Sequence, residues 1–225
     1  MKPRAVIFDM DGVIVDSMPY HFIAWYEALR PYGVRVSCFD VYEKEGEKWE
    51  KSLRFFMKRA GVRPTRRLLR DIFKVRQRVF KKYFRRYIFK DVEKILAALK
   101  KKGCLIGLVT GSSDTHVKKI LPPAIRNMFD CIVAGNHVRR GKPSPEPYLK
   151  AARMLKVAPE ECVVVENAPY GVESAKRAGM YCVAVSTSLP AAYLKRADLV
   201  VGELADIEKA WSSQRSRPYS RRLRH

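Results

Sequence analysis

The sequence predicts an α/β protein built on a doubly wound parallel sheet, with a small all-helical domain inserted after the first strand. Two observations lead to this prediction: short runs rich in Val and Ile recur without polar alternation, and helical patterns separate them. Continuous apolar strands are typical of parallel sheets covered on both faces, and strand–helix alternation is typical of βαβ units. One segment near the N-terminus breaks this alternation and predicts the inserted helices.

Six short apolar runs are the predicted strands, and apolar residues at helical spacing predict the helices between them. The strands are expected at residues 5–8, 104–109, 131–134, 162–165, 181–185 and 198–201. The helices are expected at residues 92–102, 145–155, 171–178 and 190–196. In such a sheet the carboxyl ends of the strands lie along one edge, where open α/β proteins bind their ligands.

The segment that follows the first strand contains no convincing strand. Its apolar spacing predicts three helices, at residues 20–29, 49–60 and 66–89. We therefore divide the chain into an α/β core at residues 1–15 and 91–211, a helical domain at residues 16–90, and a tail at residues 212–225. The tail has five Arg and no acid, a composition typical of disordered segments.

The chain is strongly basic. Its 225 residues include 45 Lys and Arg against 23 Asp and Glu, which gives a formal net charge of +22. Eleven of the basic residues lie between residues 64 and 90, where Asp71 is the single acid. Such an excess indicates either nucleic-acid binding or attraction of anionic small molecules, and charge alone does not separate the two.

The sequence argues against several classes of protein. No run of about eighteen apolar residues predicts a membrane span, and the N-terminus lacks the apolar core of a signal peptide. Five Cys lie far apart without a Cys-x-x-Cys pair, which argues against a zinc site or a disulfide framework. We expect buried thiols, a reducing cytoplasmic location and no membrane partner. The sequence leaves the oligomeric state open, and we expect a monomer.

An acid pair follows the first predicted strand. Asp9 and Asp11 stand two residues apart, so an extended backbone turns both carboxylates to the same side. Two clustered carboxylates repel each other, and a hard divalent cation such as Mg²⁺ relieves the repulsion. Taken alone, an Asp-x-Asp pair is a weak signal, because acids often end strands at surface turns.

Three further polar stretches complete a set that is expected at strand ends. Thr110 begins a Thr-Gly-Ser-Ser turn whose hydroxyls and N–H groups suit an anion. Lys142 would neutralise a phosphate as a point charge, while Glu166 and Asn167 add two oxygen ligands. Singly these are ordinary helix caps, turns or a surface lysine. Together, and in this order, they are complementary to a phosphate monoester with Mg²⁺.

In the order and spacing of four motifs, the sequence resembles the haloacid dehalogenase superfamily, in its phosphatase and β-phosphoglucomutase-like branch. The motifs are FDMDGVIVDS at residues 8–17, LVTGSS at 108–113, GKPSPEPY at 141–148 and VVVENAPYGVESAKRAG at 163–179. The resemblance covers about residues 4–202. It implies a Rossmann-like core and a helical cap domain that closes over a small phosphorylated metabolite, a sugar phosphate or phosphoglycolate, which a phosphatase hydrolyses with Mg²⁺.

The resemblance also implies a role for each matching residue. Asp9 is expected to be the nucleophile that forms an aspartyl-phosphate, and Asp11 the general acid and base. Thr110 and Lys142 are expected to hold the phosphoryl group. The expected Mg²⁺ ligands are Asp9, the backbone carbonyl of Asp11, Glu166 and Asn167. Substrate and phosphate contacts are expected at Gly12, Gly111, Ser112, Asp114, His21, Gly46 and Lys48.

One departure from the family pattern is Asn167, where many relatives have Asp. The amide keeps an oxygen ligand but removes one negative charge, so weaker Mg²⁺ binding is expected. The same departure would suit a degenerate member without catalysis. The intact residues Asp9, Asp11, Thr110 and Lys142 argue against that alternative.

Three functions remain open at this stage. The favoured one is a Mg²⁺-dependent phosphatase. A phosphosugar mutase is the first alternative, because His21 and Trp25 match a His-x-x-x-Trp pattern of sugar-phosphate members. One observation argues against a mutase: Trp49 stands where a mutase has an Arg that binds a second phosphate. Lys48 or Lys51 could replace that Arg. A nucleic-acid-binding protein without catalysis is disfavoured, because the sequence has no helix-turn-helix, RNA-binding sheet motif or zinc finger.

Overall fold

The computed structural model describes residues 3–207 and contains a six-stranded parallel sheet. Its strands are β1 (Ala5–Asp9), β2 (Leu105–Val109), β3 (Cys131–Val133), β4 (Cys162–Glu166), β5 (Tyr181–Val185) and β6 (Leu199–Val201). Their order across the sheet is β3-β2-β1-β4-β5-β6. The predicted fold class is confirmed, and every strand coincides with one of the predicted apolar runs.

Helices lie in two groups along the chain. Between β1 and β2 are α1 (Met18–Leu29), α2 (Cys38–Glu43), α3 (Trp49–Arg59), α4 (Arg66–Tyr83) and α5 (Val92–Lys101). After β2 come α6 (Asp114–Ile120), α7 (Pro123–Arg126), α8 (Glu146–Leu155) and α9 (Pro169–Arg177). The helix predicted at residues 190–196 is only a 3₁₀ turn at Ala191–Tyr193.

The sheet is covered on both faces because alternate side chains of each strand enter different apolar cores. Val6 and Phe8 of β1 pack in the core that contains Leu96 of α5. Ala5 and Ile7, their neighbours in β1, pack in the core on the opposite side with α8 and α9. Burial on both faces explains why the strand sequences lack polar alternation.

The helices α1 to α4 have an apolar core of their own, which includes Trp25, Leu53, Phe56, Leu69 and Ile72. The structure therefore contains a helical layer, α1 to α4, with a core of its own, while Ala24 of α1 and Phe80 of α4 join the core that covers one face of the sheet. The exact domain boundaries at residues 16 and 90 stay a prediction.

The two segments that connect this helical layer to the sheet pair with each other. The N–H of Asp16 donates to the carbonyl of Tyr87 (2.9 Å), and the N–H of Phe89 donates to that of Ile14 (3.1 Å). Residues 84–89 were predicted to continue the long helix, and this was wrong. Phe84 leaves the helical conformation at ψ 128°, and the following residues satisfy their backbone groups by pairing with the outgoing segment.

Four of the five cysteines are buried, as predicted, but Cys38 at the first residue of α2 is exposed. The prediction was wrong for Cys38 because the residue opens a short helix rather than lying in an apolar strand. The basic tail at residues 212–225 lies outside the described residues. Within residues 3–207 no helix has the length and apolar character needed to cross a membrane.

Candidate active site

The carboxyl ends of three neighbouring strands bring the predicted polar residues together. Asp9 ends β1, Thr110 directly follows β2, and Glu166 ends β4. The chain runs from β1 to one side of the sheet for β2 and β3 and to the other side for β4, so these ends lie at the switch point of the topology. Such a point is where open α/β sheets hold their ligands.

Lys142 reaches this point from the loop between β3 and α8, not from the end of a strand as the sequence suggested. Its buried Nζ donates to Oδ1 of Asp9 (2.5 Å) and to Oε1 of Glu166 (2.5 Å). Burial opposes the charged form, but the two carboxylates together raise the pKa of Lys142 above its ordinary value. The ammonium therefore links β1 to β4 at the centre of the site.

Both carboxylate oxygens of Glu166 are held by protein donors. Oε1 accepts from Lys142 and from the hydroxyl of Tyr148 (2.6 Å). Oε2 accepts from the backbone N–H groups of Asn167 (2.9 Å) and Ala168 (3.3 Å). In this arrangement Glu166 positions Lys142, and direct binding of a metal would require one of these donors to leave.

Two oxygen atoms of the predicted metal ligands have no hydrogen-bond partner among the described residues 3–207. They are Oδ2 of Asp9 and Oδ1 of Asn167, and both are buried. Buried acceptors are rarely left without a partner, so each is an open position for a ligand. The amide of Asn167 is oriented by a bond from its Nδ2 to Oγ of Ser188 (2.7 Å).

The donors at these positions fit Mg²⁺. They are hard oxygens, and the backbone carbonyl of Asp11 is two residues from Asp9. Burial raises the pKa of Asp9 well above its usual range, against the lowering effect of Lys142, and a cation beside this carboxylate would favour the ionised form. Within residues 3–207 no group of three His, Cys, Asp or Glu side chains is placed to hold a metal, and the role of Asn167 as a metal ligand stays a prediction.

Asp11 accepts hydrogen bonds from four side chains. Oδ1 accepts from Oγ of Ser17 (2.6 Å) and Nε2 of His21 (3.0 Å), and Oδ2 from Oγ1 of Thr110 (3.1 Å) and Oγ of Ser112 (3.4 Å). Burial opposes ionisation, but His21 and Ser17 hold the pKa of Asp11 well below its usual range. The carboxylate is thus kept ionised and fixed beside Asp9.

Arg76 of α4 is a site residue that sequence reasoning missed. Its Nη2 donates to Nδ1 of His21 (2.5 Å). A guanidinium has only donors, so Nδ1 is the acceptor and the Nε2–H of the ring donates to Asp11. The signal was available in the helical spacing: position 76 lies on the same stripe of α4 as the buried residues Ile72 and Phe80.

Three of the predicted glycines are required by close packing. Gly12 has a φ of +87°, and a Cβ there would overlap the side-chain amide of Asn167. Gly46 has a φ of +79°, and a Cβ there would overlap Cδ of Lys142. A Cβ at Gly111 would lie 2.7 Å from Cα of Gly46. Bare backbone at Gly46 and Gly111 lets the helical layer approach the core closely.

Residues 44–48, which we call the cap loop, tie the helical layer to the core. Nζ of Lys44 donates to the hydroxyl of Tyr170 (3.0 Å). Nζ of Lys48 donates to the carbonyls of Gly135 (2.5 Å) and Val138 (2.9 Å). The ammonium of Lys48, which the resemblance assigned to substrate, is therefore occupied by backbone carbonyls.

A cavity of about 330 Å³ lies between the helical layer and the core. It is lined from both sides, by residues that include His21, Trp25, Glu45, Gly46, Lys48, Trp49, Phe73, Arg76, Gly111, Ser112 and His116. Asp114 is not part of its wall and forms an ion pair with Lys118 instead (2.8 Å). The cavity is mixed in character, with aromatic walls and a few polar groups, as small-molecule sites generally are.

Comparison with known proteins gives consistent matches. The haloacid dehalogenase-like hydrolase family model matches residues 3–179. Beta-phosphoglucomutase of Bacillus subtilis (strain 168) is 32% identical over 212 residues, 91% of each chain. Hexitol phosphatase A of Escherichia coli (strain K12) is 30% identical over 210 residues, 92% of this chain and 94% of its own. The crystal structure of beta-phosphoglucomutase from Clostridium difficile has a TM-score of 0.82 at 25% identity, covering 94% of this chain and 96% of that one.

Proposed function

Because the chain belongs to the haloacid dehalogenase-like hydrolase family and is a phosphoric monoester hydrolase, we propose that it is a Mg²⁺-dependent phosphatase of small phosphorylated metabolites. The observation that carries this proposal is the pairing of Asp9 with Lys142 at the switch point. One oxygen of Asp9 is held by the ammonium, while the other is buried and has no hydrogen-bond partner in the described part of the chain. A carboxylate held in this way is suited to attack at phosphorus.

In the first step, Oδ2 of Asp9 forms a bond to phosphorus as the ester P–O bond breaks, which gives an aspartyl-phosphate. The leaving oxygen takes its proton from Asp11. Asp11 is ionised in the free site; the charge of an incoming phosphate dianion raises its affinity for a proton, which it takes up from solvent as the substrate binds and then delivers. Lys142 and Thr110 hold the phosphoryl oxygens, as positioning and charge neutralisation dominate phosphoryl transfer.

In the second step, a water molecule attacks the aspartyl-phosphate and Asp11 accepts its proton, which releases phosphate and restores Asp9. The hydrogen bonds from His21 and Ser17 favour the ionised form of Asp11 that this step needs. Arg76 fixes the tautomer of His21 and so acts on Asp11 as a positioning residue.

Mg²⁺ would be held by Asp9, Asn167 and the backbone carbonyl of Asp11. When bound, the ion would neutralise the charge on the phosphoryl oxygens in the transition state. Glu166 contributes through Lys142, since its own oxygens already accept four hydrogen bonds.

A phosphosugar mutase is the second candidate, because beta-phosphoglucomutase of Bacillus subtilis is 32% identical over 91% of this chain. A mutase must hold a second phosphate in the cap. Trp49 stands where the Arg was expected and stacks on Phe73, with 3.9 Å between ring centroids. Lys48 donates to backbone carbonyls and Lys51 pairs with Glu47 (2.9 Å), so neither is free to replace the Arg. These contacts favour hydrolysis.

The test is a panel of phosphorylated metabolites incubated with Mg²⁺, in which released phosphate and isomerised phosphosugar are both measured. We expect phosphate release from at least one substrate and no turnover by Asp9→Asn. Isomerisation without net phosphate release would identify a mutase. Absence of both reactions, together with tight and salt-sensitive binding to DNA or RNA, would favour the nucleic-acid alternative.

A further inference from the structure

The cap loop and α4 bring charged side chains to the cavity, but most of these charges are already paired. Lys44 and Lys48 direct their ammonium groups to Tyr170 and to backbone carbonyls of the core. The carboxylate of Glu47 is bound by Lys51 and by Oγ of Ser52 (2.7 Å). These groups hold the loop in place and are not available to a bound molecule.

Two other charged side chains of the cap loop and α4 line the cavity. The half-buried carboxylate of Glu45 is stabilised by the backbone N–H of Gly46 and has no hydrogen bond or ion pair with any side chain of residues 3–207. Arg76 lines the cavity from α4; one of its nitrogens donates to His21, while its buried Nε–H has no partner within the same residues. A bound molecule therefore meets one carboxylate that no side chain neutralises and one donor without a partner in the described part of the chain.

The position of Glu45 is fixed by its neighbour. Gly46 packs against the aliphatic chain of Lys142, and its carbonyl accepts from the N–H of that residue (3.2 Å). Glu45 is thereby held one residue from the contact between the cap loop and Lys142. Burial raises the pKa of Glu45, His21 opposes the rise and the carboxylate of Asp11 adds to it, so these groups share one electrostatic environment.

We propose that Glu45 determines specificity by selecting phosphate monoesters whose leaving group is neutral and carries hydroxyls, and by rejecting those whose leaving group bears a second negative charge. This inference rests on the proposed phosphatase function. A hydroxyl can donate to Glu45 and accept from Arg76, so one group on the substrate can serve both. A carboxylate or second phosphate would satisfy Arg76 but would face Glu45 in a site of low dielectric, where repulsion is strong.

The aromatic walls agree with such a leaving group. Trp25, Trp49 and Phe73 line the same cavity, and flat rings pack against the C–H faces of a polyol or sugar. Between the two substrate types expected from the sequence, the inference favours a sugar or polyol phosphate over phosphoglycolate, whose leaving group is an anion.

The test uses two substrates of equal length, glucitol 6-phosphate and 6-phosphogluconate, which differ in a carboxylate at the distal end. We expect the wild-type enzyme to prefer glucitol 6-phosphate in kcat/KM by about tenfold or more. In Glu45→Gln the preference should shrink by a similar factor, because the repulsion is removed and a hydrogen-bonding group remains. Because the ratio of the two kcat/KM values is taken within one variant, a general loss of activity in that variant does not change it.

Two further variants give the controls. Glu45→Asp keeps the charge and should keep the wild-type preference. Asp71→Asn removes an exposed carboxylate of α4 that does not line the cavity and should also leave the ratio unchanged. Hydrolysis of p-nitrophenyl phosphate and an unaltered melting temperature would report a folded, competent enzyme.

An equal preference in wild type and Glu45→Gln, with p-nitrophenyl phosphate still hydrolysed, would overturn the role of Glu45 and leave the phosphatase function intact. A wild-type preference for 6-phosphogluconate would do the same. Failure of the wild-type enzyme to hydrolyse any of the three esters would overturn the phosphatase function itself.

Discussion

The side-chain amide of Asn167 has an oxygen that is free to accept a ligand and a nitrogen that is held by a hydrogen bond. Its Oδ1 has no partner, and its Nδ2 donates to Ser188. An Asp in its place would keep the open oxygen, and Ser188 could donate to the second one by rotating its hydroxyl. The substitution would therefore add a negative charge to the donor set without changing its shape.

We expect Asn167→Asp to bind Mg²⁺ about tenfold more tightly, because each added carboxylate strengthens the attraction for a hard cation. Isothermal titration calorimetry with Mg²⁺ alone measures the affinity of the protein for the ion independently of catalysis. The half-saturating Mg²⁺ concentration for activity should fall in parallel. Equal Mg²⁺ affinities in wild type and Asn167→Asp would show that residue 167 does not contact the ion. The control is Asn136→Asp, which adds the same charge at the cavity rim and should leave the Mg²⁺ affinity unchanged.

A second residue-scale prediction concerns His116, which packs edge-on against Phe80 with 5.0 Å between centroids. Burial lowers the pKa of His116 to about 4, against about 6.5 in an unfolded chain. Between these values the unfolded chain binds the extra proton, so stability falls as pH drops from about 6.5 to 4. We expect a loss of about 1–2 kcal/mol in unfolding free energy between pH 7 and pH 5.

The measurement is urea denaturation of wild type and His116→Gln at both pH values. The variant should lack this part of the pH dependence. An identical pH dependence in the two proteins would mean that His116 is protonated as readily in the folded as in the unfolded state. His137, on the core side of the site, is the matched histidine for a control substitution to Gln.

Some site residues could be predicted from the sequence and others could not. Asp9, Thr110 and Glu166 could be placed together because they end neighbouring parallel strands, whose carboxyl ends share an edge. Arg76 and Glu45 could not, because they come from the helical layer and reach the site only through its packing on the core. The basic run on α4 also concealed Arg76 among residues that face solvent.

At the scale of elements, the contact between the cap loop and the core depends on Gly46. Lys142 is held at its ammonium by Asp9 and Glu166, so its aliphatic chain has little freedom to move away from an added methyl group. The cap loop is therefore expected to tolerate no side chain at this position. A change at Gly46 would therefore disturb both the contact of the cap loop with the core and the position of the Lys142 side chain.

We expect Gly46→Ala to lower kcat/KM by at least about tenfold, since displacement of a positioning group by a fraction of an ångström is costly to catalysis. Gly61→Ala is the matched control. It has a similar φ of +74° and open space around its Cα, so it carries the backbone strain without the overlap. Similar losses of activity in both variants would trace the effect to backbone conformation and not to Lys142.

Strands were easier to predict than the helical layer for a physical reason. A strand buried on both faces is apolar throughout, so its pattern is unambiguous. The short helix α2 offers less than two turns of periodicity, and the pairing of residues 84–89 with residues 14–16 depends on a partner distant in sequence. Local spacing therefore extended α4 beyond its true end at Tyr83.

The whole molecule carries its positive charge unevenly. Exposed basic side chains follow one another along α4 and include Arg66, Arg67, Arg70, Lys74, Arg78 and Lys81. This helix also supplies Arg76 to the cavity. A field of one sign beside a cavity raises the local concentration of anions and speeds their capture.

We expect kcat/KM for a phosphate monoester to fall by about threefold to tenfold between 10 and 200 mM NaCl, with kcat unchanged, because salt screens this attraction. The double substitution Arg70→Gln with Arg78→Gln should reduce the salt dependence. Both positions are exposed and distant from the apolar stripe of α4, so folding should be unaffected. A kcat/KM that does not respond to salt would show that capture is not electrostatically assisted.

The five cysteines differ in how accessible their thiols are to labelling reagents. Burial raises the pKa of the Cys131 thiol to about 11 and that of Cys162 to about 12, whereas Cys38 opens α2 at the surface. A maleimide at neutral pH should thus modify Cys38 selectively among the thiols of residues 3–207. A fluorophore or spin label can therefore be attached to the native chain a few residues before the cap loop, where its signal would report whether the helical layer moves when a ligand binds.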